Sequence, residues 1–249
     1  MEIAAIIPAR FGSSRFPGKP LADIGGKTMI QRVYEQTRSA FEHVYVATDD
    51  LRIFNVVNSF GGRAVMTSDK HQSGTDRCRE AIETIERESG NVFDIVVNVQ
   101  GDEPFIDPLQ LKTLVSCFKS EDTQIATLVK RFEPGEDIHN ENTPKVIVSS
   151  RMEALYFSRA AIPFRRDIPK EEWARDVVYY KHIGLYAYRR DILPTISSLP
   201  QSTLELCEKL EQLRWLENGF RVKVAETDIK TYAIDTPNDL EMLAAMGLF

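Results

Sequence analysis

The sequence predicts an α/β protein built on a buried, mostly parallel sheet. Between residue 1 and about 130, apolar β-branched runs alternate with helical patterns. Those runs are nearly continuous rather than alternating apolar with polar, as strands covered on both faces are. Motifs rich in charge, glycine and hydroxyl groups fall directly after the runs, where ligands bind in open parallel sheets.

In chain order, strands are expected at 2–8, 43–48 (His-Val-Tyr-Val-Ala-Thr), 63–67, 93–99 and 124–131. After the first, Thr28 and Gln31 read as a capping box opening a helix whose Ile30, Val33, Tyr34 and Thr37 share one face. Residues 145–190 change character. Lys145–Val148, Ala154–Phe157 and Tyr179–Arg190 read as extended and aromatic-rich, with a polar loop from Arg165 to Arg175. This stretch is expected to be a smaller β-rich insertion within one domain spanning 1–249, carrying substrate contacts and a dimer interface. A helix over 203–218, with Leu206, Leu210 and Leu213 on one stripe, a strand near 221–227 and a helix from Thr236 complete the chain. No repeat or low-complexity linker interrupts it.

The loop after the first strand carries the most chemistry. From Arg10 to Leu21 it holds Arg10, Arg15 and Lys19, two glycines (Gly12, Gly18) and two hydroxyls (Ser13, Ser14). A strand ending in such a loop offers backbone N–H groups and fixed positive charge to an oxyanion, as sites for nucleoside triphosphates do. Solvated basic turns are common, but here the cations cluster in a chain of 31 Lys+Arg against 37 Asp+Glu. Neither G-x-G-x-x-G nor the P-loop pattern is present, so dinucleotide and Walker-type binding are not expected.

Two acids lack a structural role. After Ile95–Val99 comes Gln100-Gly-Asp-Glu-Pro-Phe-Ile-Asp-Pro108. Asp107, with Pro108 and Gln110, supplies the helix cap, leaving Asp102 and Glu103 over. Gly101 would let the backbone approach a ligand. Near the C-terminus Thr236, Pro237 and Asp239 form a helix start with Asp235 just outside it, Asp235 itself being the alternative cap. Asp102 and Asp235 at strand ends, with a cationic loop, predict Mg2+ bridging carboxylates and a triphosphate.

Composition narrows the class. With 43% apolar and 27% charged residues the chain reads as a soluble globular protein. A formal charge of −6 argues against a nucleic-acid partner. No apolar stretch approaches membrane-spanning length and no leader is evident, so a cytoplasmic location is expected. Cys78, Cys117 and Cys207 match no pairing motif and read as small buried hydrophobes of a reducing compartment.

Taken together, Ile-Pro-Ala-Arg…Arg-Phe-Pro-Gly-Lys-Pro-Leu21, Ala47-Thr-Asp-Asp50, His71-Gln-Ser-Gly-Thr-Asp-Arg77 and Asn98-Val-Gln-Gly-Asp-Glu-Pro104 closely resemble the 3-deoxy-manno-octulosonate (Kdo) cytidylyltransferases. Ala154–Arg159, Lys181–Tyr186, Leu210–Arg214 and Ile234–Pro237 extend the resemblance over essentially the whole chain. It implies a three-layer α/β/α Rossmann-like nucleotidyltransferase fold and a Mg2+-dependent reaction of CTP with Kdo, giving CMP-Kdo and pyrophosphate for lipopolysaccharide assembly. It implies triphosphate contacts from Arg10, Ser13, Lys19 and, less directly, Arg15. For cytosine it implies Ser73 or Arg77, although Ser73 or Thr75 also reads as a helix cap, Thr75 fitting that role. For the sugar it implies Gln100, Arg159, His182, Tyr186, Glu211 and Gln212. The residues alone would make His182 an ordinary part-buried histidine, and Glu211 and Gln212 members of a solvent face.

Departures from the family pattern (Gly12, Ser14, Phe16, Lys181) remove none of these contacts. Three other readings compete. They are a cytidylyltransferase for sialic acid or 8-amino-Kdo, a nucleotide-binding module without chemistry, and an oxidoreductase disfavoured by the missing glycine fingerprint.

Overall fold

In the computed structural model residues 1–12 and 16–249 are described; Ser13, Ser14 and Arg15, two of them expected at the triphosphate, lie outside that set. The chain divides into two compact units. One comprises Met1–Lys112, Arg189–Ser197 and Lys230–Phe249; the other comprises Thr113–Tyr188 and Ser198–Ile229.

The chain opens with β1 (Ile3–Ala9), a small hairpin of β2 (Asp23–Ile24) and β3 (Lys27–Thr28), α1 (Met29–Ala40), β4 (His43–Thr48) and α2 (Leu51–Ser59). It continues with β5 (Ala64–Met66), α3 (Gly74–Ser89), β6 (Ile95–Asn98) and α4 (Pro108–Ser116). In the first unit β1 lies between β4 and β6 and is parallel to both, and β5 extends the sheet beyond β4, again parallel. The expected parallel sheet is present, and the reason for its unbroken apolar runs is visible. Ala4, Ala5, Ile6 and Ile7 on β1, and Ile95, Val96 and Val97 on β6, are all fully buried.

Capping follows the sequence closely. Thr28 caps α1 by accepting from the Gln31 amide, and Ile30, Val33, Tyr34 and Thr37 are its buried face. The Gln31 side chain bonds Glu35. Asp107 caps α4 through the Leu109 amide at 2.7 Å, while Gln110 reaches back to the Asp107 amide. At α3 the cap is Ser73, not Thr75. Ser73 accepts from the Asp76 amide and Asp76 answers in a full capping box, whereas Thr75 is buried inside the first turn.

The second unit contains β7 (Ile125–Arg131), β8 (Lys145–Val148), β9 (Ala154–Ser158) and most of β10 (Tyr180–Arg189). After α5 (Leu193–Ser197) of the first unit come α6 (Thr203–Glu208), α7 (Gln212–Glu217) and β11 (Val222–Glu226) of the second, then α8 (Pro237–Ala245) of the first. Within the second unit β11 runs parallel to β7, while β10 pairs antiparallel with both β7 and β8, and β8 with β9.

Two expectations are corrected here. The helix expected over 203–218 is broken, because Lys209 takes a left-handed conformation (φ 53°) that ends α6. Of the expected stripe Leu210 and Leu213 are buried but Leu206 is exposed, and the restart at Gln212 buries Gln212, Arg214 and Trp215 as well. Of the cysteines only Cys78 is buried; Cys117 is partly covered and Cys207 exposed, and none forms a disulfide. No helix among the described residues is long and apolar enough to cross a membrane.

Candidate active site

The first unit holds an open cleft of about 310 Å³ at the carboxyl end of its parallel sheet. Its walls come from the ends of β1 and β6, the start of α3 and the loop before α8. Of the residues singled out from sequence, Arg10, Lys19, Ser73, Arg77, Gln100, Asp102 and Asp235 all line it.

At its centre is an ion triad of residues remote in the chain. The Lys19 ammonium donates to Asp102 Oδ2 at 2.7 Å, to the Ile234 carbonyl at 2.9 Å and to Asp235 Oδ1 at 3.3 Å. Local structure places each member. Gly18, at φ 72°, donates its amide to the Phe11 carbonyl and turns the chain into the short helix that begins at Lys19. Asp102 and Asp235 are joined by backbone, since the Ile234 amide donates to the Asp102 carbonyl at 3.0 Å. Thr236 takes the cap of α8, and Asp239 accepts from the amides of both Asp235 and Thr236. The Asp235 carboxylate is thereby released from capping and turned toward Lys19.

Gly101 is required for a reason other than ligand approach. A Cβ there would stand 2.8 Å from the Pro8 carbonyl oxygen, so glycine lets the loop after β6 close onto the end of β1. That closure brings Gln100 and Asp102 to the same cleft as Arg10.

Neighbouring acids differ sharply. Asp102 is partly exposed and answered by Lys19, whereas Glu103 is buried, and its Oε2 has no hydrogen-bond partner in the structure. Burial, with the Asp102 charge adding to it, pushes the Glu103 carboxyl up to about 8. It is a neutral acid at pH 7.

Arg77 lines the cleft but its guanidinium is committed. It donates to Thr67 Oγ1 at 2.6 Å and to Asp49 at 2.9 Å, with only 4% of the side chain exposed. Asp49, not weighed as a site residue from sequence, therefore sets the posture of this wall. His71 and Gln72 also line the cleft, and His71 contacts the Glu80 carboxylate, which accepts from the Ser68 amide as well. Their signal was positional: they lie in the loop between β5 and α3, at a strand's carboxyl end.

The second unit holds another polar group. In β10 the register against β7 slips between Ile183 and Tyr186. The slip directs the carbonyls of Ile183 and Leu185 at Thr127 Oγ1, at 3.2 and 2.7 Å. The same oxygen lies 3.0 Å from His182 Nε2, and burial lowers the His182 pKa to about 3. Its ring packs at 5.2 Å from Phe157 and 5.3 Å from Tyr186, and Tyr186 meets Trp215 edge-on at 5.0 Å. Burial also raises the Tyr186 phenol well above its usual value, with the charges of Tyr188 and Glu211 adding to it.

The break between α6 and α7 supplies Glu211 and Gln212. Gln212 Nε2 and Trp215 Nε1 are buried and make no hydrogen bond in the structure. Trp215 had no sequence signal beyond being aromatic. Arg159 is engaged at the end of α6, donating to the carbonyls of Glu208 at 2.7 Å and Glu141 at 2.9 Å.

Among the described residues no three His, Cys, Asp or Glu side chains converge as a metal cage. Asp102 and Asp235 turn two carboxylates to one point, which the Lys19 ammonium fills.

The chain is similar to known proteins over nearly its whole length. Residues 4–231 match the model of the cytidylyltransferase family. The chain is 57% identical to the 3-deoxy-manno-octulosonate cytidylyltransferase of Bacteroides thetaiotaomicron, over 97% of this chain and 96% of that one. It is 55% identical to that of Parabacteroides distasonis, over 98% of each, and 48% identical to that of Geobacter sulfurreducens, over 97% of each. A solved structure of a CMP:2-keto-3-deoxy-manno-octonic acid synthetase complexed with CTP matches with TM-score 0.90 and 42% identity, covering 100% of this chain and 99% of that one. A 4-diphosphocytidyl-2C-methyl-D-erythritol synthase from Anaerococcus prevotii, at 13% identity and TM-score 0.59 over 100% and 99%, shares the fold. The chain belongs to the 3-deoxy-manno-octulosonate cytidylyltransferase family.

Proposed function

We propose that the protein transfers CMP from CTP to Kdo, releasing pyrophosphate, in the supply of activated sugar for lipopolysaccharide. The observation that carries this reading is the cleft itself, where Arg10 and Lys19 meet Asp102 and Asp235 at the end of a parallel sheet. The anomeric hydroxyl oxygen of Kdo forms a bond to the α-phosphorus of CTP. The bond from that phosphorus to the α–β bridging oxygen breaks, pyrophosphate leaves, and the hydroxyl proton passes to solvent.

Arg10 and Lys19 hold the triphosphate and neutralise charge that grows on the leaving pyrophosphate, the part of the barrier to which fixed cations contribute most. Ser73 and the first turn of α3 present backbone groups to the base, with Arg77 held as a wall by Asp49. Mg2+ held by Asp102 and Asp235 would polarise the α-phosphate and acidify the attacking hydroxyl. Within the second unit the proposed readers of the sugar acid are Arg159, His182, Tyr186, Glu211 and Gln212. Neutral His182 and the buried Gln212 amide suit hydroxyl groups rather than a carboxylate.

The reading extends to a cytoplasmic protein that pairs with a second copy of itself. Leu155, Phe164 and Val178, exposed in the aromatic stretch, support the pairing. Sedimentation showing a monomer at micromolar concentration would remove the dimer from the proposal.

The activity is tested by pyrophosphate release with CTP, Mg2+ and each of Kdo, 8-amino-Kdo and sialic acid. Turnover with Kdo, exceeding that with sialic acid, is the expected result. Preference for another sugar acid, or none with any, overturns the assignment.

A further inference from the structure

The Lys19 ammonium has three N–H bonds, and each has an acceptor: Asp102 Oδ2, the Ile234 carbonyl and Asp235 Oδ1. The side chain is 13% exposed, so the group is seated rather than waving at a surface. A nitrogen so surrounded cannot also grip a triphosphate. Nor can a divalent cation enter between the same two carboxylates while the ammonium stays, because the like charges would lie within bonding distance of one another.

We infer that Lys19 is the stand-in for the metal. In the nucleotide-free protein its ammonium occupies the place between Asp102 and Asp235, and nucleotide binding exchanges the two cations. The acids pass to the divalent ion that accompanies CTP, and Lys19 moves to the phosphates. The inference rests on the reading that Asp102 and Asp235 hold the metal.

Physical chemistry favours such an arrangement. Two carboxylates turned to one point repel each other, and without a counter-ion they would splay apart or take up a proton. Lys19 keeps them converged while the metal is absent, which preorganises the site. Lysine suits the exchange better than arginine, since its ammonium is a compact charge on a flexible four-carbon stem and is not bound by fork geometry. The Ile234 carbonyl, whose own amide donates to the Asp102 carbonyl, accepts the seated ammonium's third bond. One consequence is order: metal binds weakly to the free protein and firmly once nucleotide draws the lysine away. A second is that Lys19 is a positioning residue before it becomes a phosphate contact.

The test titrates Mn2+, followed by its paramagnetic resonance signal, into the full-length protein without nucleotide. Wild type is compared with Lys19→Met, Lys19→Gln and Lys19→Arg, each checked for native circular dichroism. Removing the positive charge should tighten nucleotide-free Mn2+ binding by about tenfold or more. Lys19→Arg should stay near wild type, and adding Asp102→Asn to Lys19→Met should abolish the gain. Equal or weaker Mn2+ binding in whichever neutral variant folds overturns the exchange. A parallel titration with CTP present separates the two ideas. If Asp102→Asn and Asp235→Asn leave nucleotide-dependent Mn2+ binding unchanged, the metal assignment itself is wrong.

Discussion

In the cleft of the first unit, Asp102 and Asp235 are partly exposed, and Lys19 answers both. In the aromatic group of the second unit, His182 is half-buried between Phe157 and Tyr186, in hydrogen-bond contact with Thr127, and desolvation lowers its pKa to about 3. The first region is built from full charges that answer one another. The second handles dipoles that are fixed before anything arrives. A triphosphate needs the former and a polyhydroxylated sugar the latter, because mobile counter-ions match charge whereas rigid donors and acceptors discriminate between hydroxyls.

The largest effect should therefore come from the cleft. Asp102→Asn and Asp235→Asn are each expected to lower turnover by about 10²–10³-fold, the scale on which one preorganised electrostatic partner of a transition state is lost. Because both act on one ion, the double variant should fall far short of the product of the two losses. Pyrophosphate release at saturating CTP and Kdo measures this. His182→Gln in the other region should act mainly on KM for the sugar. If instead the aspartate variants turn over near normally while His182→Gln stops the reaction, the division of labour between the regions is reversed.

The two regions were also unequally legible in the sequence. Asp102 and Asp235 could be found by elimination: Asp107 and Thr236 fill the caps, so the remaining acids needed another purpose, although the strand expected to end at Asp235 is absent and 227–235 is irregular. That logic is local and survives folding. The parallel sheet was readable for a similar reason, as Ile3–Ala9 and His43–Thr48 carry their apolar character in unbroken runs. The polar group of the second unit depends on two irregularities with no local signature. One is the register slip in β10 that turns Ile183 and Leu185 toward Thr127; the other is the left-handed Lys209 that restarts the helix at Gln212. Helical periodicity carried across 203–218 puts Gln212 on a solvent face, and only the break buries it. The approach of Gly101 to Pro8, likewise, is a meeting of segments far apart in sequence.

A smaller effect probes solvation directly, through pH, in metal- and nucleotide-free protein. The folded pKa of His182 is about 3 against an ordinary 6.5. Between those values the unfolded chain holds a proton that the folded one lacks. Its contribution to stability is thus lost as pH falls below about 6.5, at about 1.4 kcal/mol per pH unit at most. Glu103 works in the opposite sense, with a folded value of about 8 against 4.5. Here the folded state holds the extra proton, so stability is lost as pH rises from 4.5 toward 8, with a similar limiting slope. From about pH 4.5 to 6.5 the two slopes offset each other, and urea midpoints of the wild type should change little from this pair. Single variants unmask each arm within that window. Glu103→Gln should leave stability rising with pH, and His182→Gln should leave it falling. Parallel pH profiles for all three proteins would mean that one or both groups are hydrated in solution, and the contrast between a wet cleft and a dry aromatic group would fail at that residue.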